Sequence, residues 1–279
     1  MQEWIKQAVT CTWVDWSYEE TIKAKLLFLD YLGRALARRG EEEAVRLVEH
    51  LESFGGAEQA TVFAGADLMP APWAAFGNAM LTASDPLVYP VVLAAVESEN
   101  KGGQELIAAL VAGLETTYRM GDHPHAEYVG ALVGVANAYE LDEEGWHALL
   151  GFVLPQLGMW ESKARSHEEG DHGESLPSMV RGLIAQQIVT AGALARDEWG
   201  LEAVVPHELP DEWEQALHHT TDKPGMNLFL MATEVNADEM AHAFEDRVEG
   251  KVPTPHIRYY VDAVMALEDV CCMPQFFRR

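Results

Sequence analysis

The segment GDHPHA carries His123 and His125, two residues apart across Pro124, at the start of a predicted helix. Imidazole exchanges protons near neutral pH, so a histidine at a loop-to-helix junction suits the general acid or base step of a dehydration or isomerisation. Capping the helix is the structural use of the same residues. A second group, SHEEGDHGE, sets His167 and His172 among Glu168, Glu169, Asp171 and Glu174. That composition suits a divalent cation, but the spacing matches no zinc motif. A glycine-containing loop does not force side chains onto one point, so no metal is assigned and a hydrated loop is expected. His218 and His219 point apart on a helix, and Cys271 and Cys272 read as packing residues. No phosphate-binding glycine loop follows a strand and no serine sits in a nucleophile elbow, which leaves nucleotide and hydrolase chemistry without support. Trp73, Phe76, Trp146, Phe152, Met159 and Trp160 recur at helical spacing and read as core before they read as cavity lining.

The elements that position these residues are helical. Residues 18–39 put Ile22, Leu26, Leu29, Leu32 and Leu36 on one face, acids first and arginines last, as the helix dipole favours. Residues 41–54 repeat the pattern and stop at Gly55-Gly56. ATVFAG has strand-like composition, and WAAFGNAML reads as a helix of small residues that ends near Ser84, Asp85 and Pro86, which places Asp85 in a loop. Residues 90–99 and 104–119 are apolar on most sides and read as central helices. Gly130, Gly134 and Ala138 predict close helix approach after the histidines, Leu141-Asp142 a turn, and residues 161–175 an exposed polar insertion ahead of a helix over 179–195. Residues 197–233 lose periodicity, although DEWEQALHH reads as a short helix opened by Asp211, and two helices follow, the first capped by Asn236. With no sustained alternation and no repeat, the prediction is one all-α domain over 1–279: a main block 1–195, a connector 196–235 and returning helices 236–279.

Composition bounds the partners. Of 279 residues 48% are hydrophobic, which supplies a core and excludes disorder and collagen. A formal charge of −26 repels phosphate backbones and anionic lipid, so neither nucleic acid nor membrane surface is an expected partner. Cys11, Cys271 and Cys272 are odd in number and placed near the two ends, which points to a reducing compartment. With no apolar signal core and no membrane-length apolar run, a cytoplasmic protein is expected.

The ordered series AKLLFLDYLGRALA, FGGAEQATVFAG, AAFGNAML, QELIAALVAGLETTYRMG, GALVGVANAYELDEE and HIRYYVDAVMALEDV resembles the helical domain of the MmgE/PrpD superfamily, over most of 20–195 and 236–277. That superfamily includes 2-methylcitrate dehydratase and cis-aconitate decarboxylase. Its members insert a second α/β domain where this chain has about 40 residues, so a more open pocket or one closed by a partner subunit is implied. GDHPHA resembles the segment that carries the family's active-site histidine, which implicates His123, with His125 as the competing alignment. Of the family's early acidic motif only Asp85 survives, with Tyr89-Pro90 where a histidine is usual. Lys163 is the nearest counterpart of a family lysine that would fall near Pro177. The resemblance thus implies His123 or His125 as acid or base, Asp85 as an orienting group, and Tyr89, Lys163, Trp160 and Asn78 as substrate-binding residues. It implies no cofactor, and it implies a homodimer.

Residues 60–160 hold twelve acidic residues and, as fixed bases, only Lys101 and Arg119. A di- or tricarboxylate favours arginine, lysine or helix N-termini, so a substrate less anionic than citrate-like acids is expected. The function expected is a cofactor-independent lyase or isomerase acting on a small metabolite. The alternative is a ligand-binding or partner subunit that keeps the scaffold without the chemistry.

Overall fold

Ser17 opens the first long helix with a reciprocal cap: its hydroxyl accepts from Glu20 N (3.2 Å), and Glu20 Oε2 accepts from Ser17 N (2.7 Å). The computed structural model describes residues 3–65, 67–167, 175–199, 209–218 and 236–277, and of residues 67, 158–167, 175–177 and 218 it describes the backbone. Among these lie thirteen α-helices and one short antiparallel ribbon. The helices are α1 (Glu3–Thr10), α2 (Tyr18–Ala37), α3 (Glu42–Glu52), α4 (Ala71–Leu81), α5 (Val88–Ser98), α6 (Gly103–Met120), α7 (Ala126–Ala138), α8 (Glu143–His167), α9 (Ser175–Arg196), α10 (Asp211–His218), α11 (Ala237–Val248), α12 (Thr254–Met265) and α13 (Met273–Phe276). The strands β1 (Ala60–Val62) and β2 (Asp67–Met69) pair Ala60 with Met69 and Val62 with Asp67. The all-α expectation holds, and ATVFAG supplies the strand its composition suggests.

At the centre lie α5, α6 and α7. Every residue from Val88 to Glu97 of α5 is buried, which is why that segment carries no surface periodicity. Helices α6 and α7 cross on glycine: a Cβ on Gly130 would stand 2.0 Å from Thr117 Oγ1 and 2.5 Å from the Gly113 carbonyl, and one on Gly134 would stand 2.6 Å from Val92. No other residue allows that approach. Around this centre α4 packs on α5 and α9, α9 on α8, and α2 on α11 and α12. The returning helices fasten to the main block through charge. Lys25, 1% exposed, donates to the Met265 carbonyl at the end of α12 (2.9 Å) and pairs with Glu268. Asn236 caps α11, accepting from Asp238 N at 2.9 Å and Glu239 N at 3.3 Å.

One expectation changes. Residues 161–167 continue α8 and α9 begins at Ser175, so the polar insertion is helical on both flanks; 168–174, with Glu168, Glu169, Asp171, His172 and Glu174, lie outside the described residues. ESKARSH contains no glycine or proline and several good helix formers, so nothing in it stops α8. Within the connector DEWEQALH forms α10, opened at Asp211 as the sequence predicts, while 200–208 and 219–235 lie outside the described residues. No helix of the described residues is long and apolar enough to cross a membrane.

Candidate functional site at one end of the helical core

Because α5, α6 and α7 run alternately up and down, the start of α5, the end of α6 and the start of α7 share one end of the core. Asp85, Tyr89, His123 and His125 all sit there, and arginines from other helices join them. Asp85, in the turn before α5, is 4% exposed, and its Oδ1 pairs with Arg34 of α2. Arg34 also pairs with Asp30, which takes a second ion pair from Arg247 of α11 at 2.6 Å. From α9, Arg181 donates to the Asp85 carbonyl (2.6 Å) and to Glu127 in the first turn of α7 (2.5 Å). Arg181 thereby ties the Asp85 turn to the segment that follows the histidines. Burial pushes the Asp85 carboxyl above its ordinary range, and the contact with Arg34 offsets part of that rise.

Tyr89, 3% exposed, stacks on the fully buried Tyr31, with centroids 4.7 Å apart and planes 11° from parallel. Burial holds both phenols well above their ordinary range; Tyr118 reinforces the effect at Tyr89, and Asp85 does so at Tyr31. The Tyr31 hydroxyl approaches Thr82 without a well-formed hydrogen bond. His123 and His125 are half-buried, with His125 N donating to His123 Nδ1 at 3.2 Å. Trp213 of α10, 4% exposed, lies against them, its ring centre 4.7 Å from that of His125 and 6.5 Å from that of His123.

This end is unusual in its unmet polar demand. Asp85 Oδ2, Tyr31 Oη, Arg34 Nε, Arg181 Nε and Trp213 Nε1 are buried with no hydrogen-bond partner among the described residues. An unpartnered atom of this kind costs about 1–3 kcal/mol in an ordinary core, and four of the five belong to the Asp85 turn and the side chains around it. Three carboxylates, Asp30, Asp85 and Glu127, face three guanidiniums, Arg34, Arg181 and Arg247. The cluster is neutral in sum and every guanidinium in it is already paired.

The other expected site residues fall differently. Asn78, 2% exposed, spends its amide on the ribbon, accepting from Phe63 N (3.1 Å) and donating to the Thr61 carbonyl (2.8 Å). Positions 160 and 163 lie on α8, and the side chains of Trp160 and Lys163 are outside the described residues. Trp146 is 2% exposed, and Trp73, Phe76 and Phe152 pack against the core. No cluster of His, Cys, Asp and Glu able to hold a metal occurs among the described residues. The sequence reading missed Arg34, Arg181, Tyr31 and Trp213. Two of them had a visible signal, since Arg34 in LGRALA and Arg181 in MVRGLIA are lone charges inside small, apolar runs.

Fold and site together define a helical protein with a neutral, half-buried ion-pair cluster around the buried Asp85, beside a half-buried histidine pair. Neither a scan against protein-family models nor a search of the curated proteins finds a match to this sequence.

Proposed function

We propose that the chain is a shortened MmgE/PrpD-like lyase or isomerase that moves a proton on a small metabolite without a cofactor. The observation that carries this reading is the gathering of unpartnered polar atoms, Asp85 Oδ2 and Tyr31 Oη foremost, at the end of the core where the resemblance puts the reaction centre. In this reading His123 or His125 takes or returns the proton, and Asp85 Oδ2 accepts a hydrogen bond from the substrate while Arg34 holds Oδ1. Since each guanidinium of the cluster is paired, no spare cation awaits a tricarboxylate, which supports a neutral or amino-bearing substrate. Cysteine usage supports a cytoplasmic setting, and the resemblance supports a homodimer, which light scattering tests.

A second reading, a ligand-binding or partner subunit without catalysis, draws on two contacts. The Asp85 carboxylate pairs with Arg34, not with a histidine, and the His125 ring rests on Trp213. Proton NMR in heavy water with a panel of small acids, amino acids and neutral enols separates the two. Deuterium exchange or elimination that vanishes in the His123→Ala, His125→Ala double variant is the expected result. Line broadening of a ligand, equal in both proteins and without exchange, overturns catalysis in favour of the second reading.

A further inference from the structure

We propose that the cleft at the opposite end of α6 and α7, beneath the segment after α1, binds a small organic ammonium ion with an apolar body, of the arylalkylamine class. The cleft encloses about 380 Å³, within the range of small-molecule sites, with residues 9–13 on one wall and the start of α6 and end of α7 on the other. Val9, Ala108 and Leu141 give it an apolar floor, and Trp13 adds an aromatic face of the kind that attracts cations.

The polar lining decides the ligand's charge. Asn137, 8% exposed, is locked by its Nδ2, whose two hydrogens are shared among the carbonyls of Ala8 (3.0 Å), Val9 (3.1 Å) and Cys11 (2.8 Å). These bonds finish the C-terminus of α1, and Oδ1 of this cleft-lining residue, the amide's acceptor, receives no hydrogen bond among the described residues. Gln104 spends its Nε2 on the Glu268 carbonyl (3.2 Å), which leaves its Oε1. Glu105 uses Oε2 on Gly102 N (3.0 Å), which leaves the other carboxylate oxygen. The cation on the wall, Lys101, is committed to the Ala138 carbonyl (2.7 Å) and to Glu140 (2.6 Å). The Cys11 thiol, pushed up to about 12 by burial and by Asp15, stays protonated and adds no charge. What the cleft offers is therefore a set of acceptors beside an indole, complemented by a donor-rich cation, and a net charge of −26 concentrates cations around the chain. This site does not depend on the reading of the Asp85 end.

The test titrates the full chain with 2-phenylethylamine, and separately with its neutral counterpart 2-phenylethanol, while ¹H–¹⁵N spectra are recorded. Saturable shifts of the Trp13 indole N–H and the Asn137 side-chain amide are expected with the amine, and binding of the alcohol about fivefold weaker or worse. Glu105→Gln keeps an acceptor for Gly102 N and weakens the amine about fivefold, with an unchanged urea midpoint. Ala108→Leu fills the floor and abolishes binding; if that variant does not fold, Glu105→Gln decides. Equal binding of the alcohol, an unaffected Glu105→Gln, shifts centred on other residues, or no saturation up to the solubility limit each overturn the proposal.

Discussion

Replacing Gly130 by alanine probes the crossing that holds the candidate site's floor together. The new methyl group meets Thr117 Oγ1 at 2.0 Å, Thr117 Cβ at 3.2 Å and the Gly113 carbonyl oxygen at 2.5 Å. The threonine can rotate, but the carbonyl belongs to the α6 backbone and must retreat by about 1 Å to reach ordinary contact. Moving α6 away loosens Val88 and Val92, which fit against Gly113 and Gly134 at the same crossing. Overpacking of this kind costs about 3 kcal/mol, and the better helix propensity of alanine returns about 1 kcal/mol. The expected net loss is about 2 kcal/mol, or about 3–4 °C in Tm for a chain of this size. Gly145→Ala is the matched control, because there the atoms nearest the added Cβ belong to Leu141 and Asp142, at 3.3–3.4 Å, a contact that a shift of a few tenths of an ångström relieves, so the change is close to neutral. Urea unfolding followed by circular dichroism reads both, with an unchanged slope and a shifted midpoint for Gly130→Ala. Equal midpoints for the two variants refute a backbone-close crossing of α6 and α7.

Three further outcomes follow from buried groups. A carboxyl whose pKa is raised by folding contributes stability that is present below the unfolded aspartate value and is lost as pH rises through the folded one, so Asp85→Asn gains on the wild type as pH rises from about 3 to about 7; urea midpoints across that range check this, and a gap that moves the other way counts against burial as the dominant cause. Glu97, 1% exposed, accepts from both Thr61 N and Thr61 Oγ1 at 2.8 Å, and Glu97→Gln, left with one acceptor, loses about 1–3 kcal/mol, read as faster hydrogen exchange in β1 and a lower urea midpoint. Cys11, with its thiol pushed up to about 12, reacts with maleimide at mildly alkaline pH far more slowly than the exposed Cys271, an order that mass spectrometry of the peptides establishes and that equal labelling contradicts.

The helices were legible in the sequence wherever local signals suffice. Periodicity located α2 and α3, side-chain capping located the start of α11, and glycine spacing announced a close helix approach on α7, though not that α6 is the partner. What escaped depends on distance along the chain. Arg34, Asp85 and Arg181 come from three helices or turns far apart in sequence, and no period links them. Counting fixed bases within 60–160 therefore left out the arginines that surround Asp85, although their pairing keeps the cluster neutral as the substrate argument requires. Lys25 is a like case: one charge on the apolar face of α2 has no local explanation, and its partner waits at the end of α12. The end of α8 lies beyond the onset of high charge density, because Glu161, Lys163 and Arg165 have good helix propensity and no glycine or proline interrupts them.

The central claim is that the histidine pair, Trp213 and the Asp85 turn form one ligand site. Histidine-ring and indole ¹H–¹⁵N spectra, recorded as neutral and amino-bearing members of the metabolite panel are added, test it most directly. The expected result is that His123, His125 and Trp213 shift along one saturating curve, and that Asp85→Asn displaces that curve. Ligand binding that leaves all three resonances in place, or a curve unchanged by Asp85→Asn, contradicts the claim.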